Sequence, residues 1–156
     1  MATLLTLVQQ GELIQIGGGL ERDEQPERLL YAFPHVIDWL DKVLPGLAAE
    51  LHDQLLSPLE QADILFHDFV SGADMAFYER CHSMIPDEEG VWELKSEDLR
   101  FFGWFPAKGA FIIADIDTKA RITERGLAYL GQVKYRREML GLDEPKFKEG
   151  GYSDVL

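Results

Sequence analysis

Between Val91 and Ile116 the chain carries three apolar stretches of strand length, separated by breaks too short to hold a helix. No other feature restricts the fold as much. Val91-Trp92-Glu93-Leu94-Lys95 alternates as a half-buried strand does. Ser96 to Asp98 interrupts it, and Leu99-Arg100-Phe101-Phe102-Gly103-Trp104-Phe105 follows. Pro106-Ala107-Lys108-Gly109 is a turn signal, and Ala110 to Ile116 reads as the third strand. Parallel neighbours need a crossover of about a dozen residues or more, so connections this short favour an antiparallel meander.

Helical periodicity surrounds the meander. In Pro34 to Leu44 the apolar residues Val36, Ile37, Leu40, Val43 and Leu44 recur at helical spacing, and Pro45-Gly46 ends the run. Leu47 to Leu56 continues with Leu47, Leu51 and Leu55 on one face. Ser57-Pro58-Leu59-Glu60 is the clearest start signal: a capping serine, proline at the first helical position, and a glutamate three residues after the cap. That helix is predicted to reach about Val70, with Leu59, Ala62, Leu65, Phe66 and Phe69 inward and Gly72 near its end. Asp87 to Gly90 reads as a turn, and Arg121 to Leu140 as a basic amphipathic helix stopped by Gly141. The expected fold class is α+β, with N-terminal helices packed on a small antiparallel sheet and a C-terminal helix.

A chain of 156 residues suits one domain. Leu4 to Val8 fits a strand or the start of a helix, and Gly17-Gly18-Gly19 followed by the acidic segment Glu21 to Glu27 reads as a loop. Residues 1–30 are therefore expected to be an N-terminal extension, 31–142 the α+β domain, and 143–156 a flexible tail. The triple glycine is no phosphate loop, because no Lys-Ser/Thr follows it. The N-terminus offers no basic segment leading into an apolar stretch with a cleavage site, so no secretory signal is expected, and no run approaches a membrane span. A single cysteine, Cys81, points to a reducing compartment, with the cytoplasm as the expected location.

Charge is divided unevenly. Residues 1–90 hold four basic residues, Arg22, Arg28, Lys42 and Arg80, against 17 acidic ones, whereas 91–156 hold 11 of each. The whole net charge of −13 thus lies in the first part. Such acidity repels phosphate backbones at long range, so any nucleic acid should meet the C-terminal part. The acidic part is either a solvated face or a surface that engages a basic partner.

The sequence holds no Cys/His cluster for zinc, no nucleophile elbow and no Walker loop. His52 and His67 lack neighbours at ligand spacing, which makes surface histidines the simpler reading and metal ligands the rarer one. Cys81 reads as a half-buried thiol before it reads as a nucleophile. The unusual residue is Arg100, which strand alternation places on one face with Phe102 and Trp104, opposite Leu99, Phe101 and Phe105. A guanidinium between large apolar side chains needs a carboxylate partner, such as Glu93 across the sheet, or an anionic ligand such as phosphate or RNA.

The strand Val91 to Lys95, the arginine-aromatic strand Leu99 to Phe105, the apolar strand Ala110 to Ile116 with Lys119 after it, and the helix Glu124 to Leu140 resemble the RelE/HigB toxin superfamily. The likeness is to its phage-derived HigB-type branch, is best over residues 91–140, and does not cover 1–30. It implies a metal-independent mRNA endoribonuclease, often acting on the ribosome and neutralised by a cognate antitoxin, with no cofactor. It implies further that Arg100 stabilises phosphate and that Lys119 and Arg121 assist as catalytic cations. Lys95, Trp104, Tyr129 and Tyr135 would bind substrate, although the two helix tyrosines also suit packing. The chain departs from the family pattern at Asp115 and Asp117, where neutral or basic residues are usual, and in having Thr118-Lys119 in place of a lysine pair. No final strand ends in a catalytic histidine or tyrosine, unless Tyr152 serves. These departures admit a second expectation: a catalytically inactive RelE-like protein of phage or mobile-element origin that binds a basic protein partner through its acidic helices.

Overall fold

In the computed structural model, which describes residues 2–48, 56–84, 89–125 and 128–156, the chain opens with helix α1 (Leu4–Gln9), strand β1 (Ile14–Ile16) and strand β2 (Leu29–Ala32). Helices α2 (Pro34–Lys42) and α3 (Pro58–Ser71) follow, then strands β3 (Cys81–Ser83), β4 (Val91–Lys95), β5 (Leu99–Ala107) and β6 (Ala110–Thr118). Helices α4 (Lys119–Arg125), α5 (Ala128–Leu140) and α6 (Tyr152–Val155) complete the order. The fold is α+β. The strands form one mixed six-stranded sheet in the order β1-β2-β6-β5-β4-β3, in which only β2 and β6 run parallel. Its two outermost strands, β1 and β3, are three residues each.

The predicted meander forms as β4-β5-β6, and alternation along it divides the core. Leu99, Phe101 and Phe105 face one layer, where α2 and α3 bring Val36, Ala62, Leu65, Phe66 and Phe69. Phe66 meets Phe101 edge-on at 5.1 Å, and Phe105 packs at 4.8 Å from Phe111. Phe102 and Trp104 face the other layer with Leu7 of α1 and Tyr129 and Val133 of α5. Covering both faces explains why the strands are almost continuously apolar. The helix α3 begins with the predicted capping box at Ser57 and Glu60 and ends at Gly72, whose φ of 87° closes it in the left-handed conformation. Leu59, expected inward, is exposed, and Gln61 is buried in its stead.

Other expectations are corrected. Residues 1–30 are not an extension beside the domain: Leu7 and Leu13 are buried, and β2 hydrogen-bonds directly to β6. The loop reading of 17–28 stands, but that loop connects two paired strands. Nor is 143–156 a loose tail. Val155 is buried, its carbonyl accepts a 2.7 Å hydrogen bond from the Gly109 N–H, and Trp104 Nε1 donates to the Lys146 carbonyl at 3.0 Å. The guanidinium of Arg137 lies 4.1 Å from the Phe147 ring centroid, which ties this segment to α5. The helix predicted over 121–140 is described as α4 and α5. Leu47 and Ala48 are not helical, and the rest of the helix predicted there, up to Leu55, lies outside the described residues, as do His52, Asp87 and Glu88. Among the described residues no helix is long and apolar enough to cross a membrane.

One close approach fixes the register of the central pair. The β5-β6 pairing shifts between Phe102 and Gly103, and a Cβ built on Gly103 would lie 1.7 Å from the Ile112 carbonyl oxygen. No rotamer relieves a clash with backbone. Gly103→Ala should therefore lower stability by about 3 kcal/mol, read as a fall in the urea midpoint at unchanged m.

Candidate functional site: a cationic cavity at the end of the sheet

The site is built around a buried amide. Gln61 of α3 is 3% exposed. Its Nε2 donates to Asp98 Oδ2 at 2.7 Å and to the Leu56 carbonyl at 3.2 Å. Its Oε1 accepts from Ser96 Oγ at 2.8 Å and from the Asp98 N–H at 3.0 Å. Both amide protons and both lone pairs are thus used. Asp98, itself 2% exposed, accepts the Lys119 N–H at its carbonyl, 2.8 Å away. One helix, the β4-β5 turn and the start of α4 are thereby held together.

A cavity of about 400 Å³ lies at this junction. Lys95 at the end of β4, Arg100 at the start of β5, and Lys119 at the start of α4 all line it. Arg80, just before β3, adds a fourth cation, and Glu97 is the one carboxylate among the described lining residues. Leu56, Ile64, Leu65 and Tyr78 supply an apolar part of the wall. The two arginines are steadied by acids: Arg80 Nη1 is 2.6 Å from Asp68 Oδ2, and Arg100 Nε is 3.3 Å from Glu93 Oε1. Arg100 also donates to the carbonyls of Ser96 and Leu99. A wall with cations at one part and hydrocarbon at another suits a ligand with an anionic group on a flat or apolar body, and the volume is that of a small-molecule or nucleotide site.

The Glu93 partner that alternation suggested for Arg100 is present, and the same arginine contributes to the cavity with Lys95 and Lys119. The other sequence candidates lie elsewhere. Trp104 is fully buried beneath Arg137 and cannot stack on a ligand. Tyr129 is 1% exposed, stacks on Phe102 at 4.6 Å and bonds its hydroxyl to Asp117, so it is packing rather than a substrate contact. Arg121 turns to Asp117, 3.6 Å away, and Tyr135 is exposed on α5 outside the cavity lining. The sheet face carrying Arg100 is therefore covered by α5 and is not an open anion-binding surface. Its acids, Asp115 and Asp117, cap the Ile116 and Thr118 N–H groups, and Asp117 also holds Tyr129.

Cys81 is buried and its thiol is pushed up to about 12 by desolvation, which removes it as a nucleophile. His67 Nδ1 meets the Gly18 carbonyl at 2.9 Å on the surface. Among the described residues no group of three or more His, Cys, Asp or Glu is placed to hold a metal ion. Sequence reasoning missed Gln61, Tyr78, Arg80 and Glu97. The signal for Gln61 was its place four residues before Leu65, on the inward stripe.

Comparison of the chain with protein-family models, with curated proteins and with solved structures returns no match.

Two outcomes follow from this geometry. Gln61→Leu leaves the Asp98 carboxylate and N–H buried without their partner, and should cost about 2–3 kcal/mol in urea unfolding. His82 Nε2 lies 3.3 Å from the same Glu93 oxygen that Arg100 meets, and that hydrogen bond raises its pKa. A raised pKa favours the folded state when the ring is protonated. The contribution is complete below the unfolded value of about 6.5 and is lost as pH rises through the folded value above it. The stability advantage of the parent over His82→Gln should accordingly be full below about pH 6.5 and shrink as pH rises beyond it, followed by urea titration at each pH.

Proposed function

We propose that this protein is a RelE/HigB-like, metal-independent endoribonuclease, the toxin of a toxin–antitoxin pair, and that its catalytic centre is the cavity at the end of the sheet. The observation that carries the reading is the meeting of Lys95 of β4, Arg100 of β5 and Lys119 of α4 on one cavity wall with Arg80. The order of elements over 91–140 supports it: an antiparallel β4-β5-β6 meander and then the helices α4 and α5. In this reading the cations receive the scissile phosphate of single-stranded RNA and stabilise the charge that builds on its non-bridging oxygens. Glu97 takes the proton of the 2′-hydroxyl, whose oxygen bonds to phosphorus as the bond to the 5′-oxygen breaks. The leaving oxygen takes a proton from the Lys119 ammonium, and the products are a 2′,3′-cyclic phosphate and a 5′-hydroxyl. The alternative, an inactive RelE-like relative docking on a basic protein, is favoured by the acids exposed along α2 and α3, among them Asp38, Asp41, Glu60 and Asp63.

Lys119 is exposed, so its removal tests the site without dismantling the core, whereas Arg100→Ala would also leave the buried Glu93 with His82 as its remaining described ion-pair partner. Induced expression of the parent should arrest growth, and the purified protein should cleave RNA in the presence of a chelator. Lys119→Ala should lower the cleavage rate about 10²–10³-fold at unchanged stability. Normal growth and intact RNA with well-folded protein would reject the ribonuclease and leave a salt-sensitive protein complex as the outcome to seek.

A further inference from the structure

Tyr78 is the most exposed large apolar residue of the described chain, at 80%, and Phe77 beside it is 63% exposed. Their rings meet at 4.3 Å, tilted by 60°. The backbone beneath them is held in a costly form: Tyr78 has φ 57° and ψ 22°, and Glu79 follows with φ 53°. Two consecutive non-glycine residues in the left-handed region are uncommon, and bulky side chains there are the least favoured. Strain of this kind persists where surrounding structure fixes it, and it gathers at ligand sites. Here the anchors are visible. Arg80, the next residue, is pinned by Asp68 at 2.6 Å and by the Asp74 carbonyl at 3.1 Å, and the Glu79 N–H donates to the Ala76 carbonyl at 2.9 Å. The consequence is that Tyr78 stands on the rim of the cavity, lining it together with Arg80, Lys95, Ile64 and Leu56.

We infer that Tyr78 is a stacking platform for one nucleobase of single-stranded RNA, whose adjoining phosphate occupies the cationic part of the same cavity. This rests on the ribonucleolytic reading and specifies how its substrate is gripped. A base offers a π-face to the tyrosine ring and an edge to the hydrocarbon of Ile64 and Leu56, while the linked phosphate carries the charge that Arg80 and Lys95 match. Neither half of the wall alone would select an RNA strand over a simple anion. Because the ring is solvent-exposed, the grip adds affinity through stacking and is indifferent to the 2′-proton transfer. Tyr78 is thus a positioning residue.

The test compares two fluorescein-labelled probes at fixed salt by anisotropy, both 2′-O-methylated so that neither is cleaved: hexaadenylate and an abasic ribose-phosphate hexamer of equal charge. Glycine adopts the left-handed backbone freely, so Tyr78→Gly removes the ring while keeping the turn. The parent should bind hexaadenylate more tightly than the abasic strand. Tyr78→Gly should lose about tenfold for hexaadenylate and nothing for the abasic strand, and Tyr78→Phe should retain parent affinity for both. Equal loss for the two probes, or no loss for either, would overturn the platform while leaving the cationic site intact. Failure of the parent to bind either strand would overturn the ribonucleolytic reading and the platform with it.

Discussion

The buried pairing of Gln61 with Asp98 is the constraint on which the site depends. Helix α3 lies on one face of the sheet and presents mostly hydrocarbon to it, and hydrocarbon alone tolerates sliding. An amide that uses every donor and acceptor it has admits one register only. Through that register Ser96, Asp98 and Lys119 take their places, and the cavity acquires a fixed outline. Arg100 then reaches back to the Ser96 carbonyl, so even the strand cation is referred to the same turn.

Much of the architecture was legible. Period-two alternation over 91–116 and the Ser57-Pro58-Leu59-Glu60 start signal are local and strong, and both elements formed where the residues said. The outer strands were not legible because their evidence is not local. Cys81-His82-Ser83 has no apolar rhythm and is a strand by pairing with β4, and Leu29 to Ala32 is defined by lying beside β6, some eighty residues on. The same reason hid the attachment of the C-terminal segment. Val155 and the Lys146 carbonyl matter for what they meet at Gly109 and Trp104, and no window of sequence contains both partners.

The candidate site was half legible for a related reason. Lys95, Arg100 and Lys119 sit on or beside the meander, where pattern gives faces and ends; their convergence follows from strand geometry. Trp104, Tyr129 and Tyr135 were chosen for chemistry, and chemistry does not report depth. Trp104 and Tyr129 belong to the layer beneath α5, where an indole N–H and a phenol hydroxyl each find a hydrogen-bond partner. Tyr78, by contrast, sits in a short irregular segment with no periodic signature, and its prominence comes from backbone angles that composition does not encode.

The two outermost strands, β1 and β3, have a consequence for how this chain survives in a crowded solution. The nine-residue strands β5 and β6 are apolar enough to template other chains if their edges were bare. They are instead placed in the middle, and the ribbon ends on each side in a three-residue strand. So short a margin offers few unsatisfied backbone groups to an incoming segment, and one of these margins carries His82, a chargeable side chain. The sheet is thereby self-terminating, and a strongly adhesive interior is carried without an adhesive border.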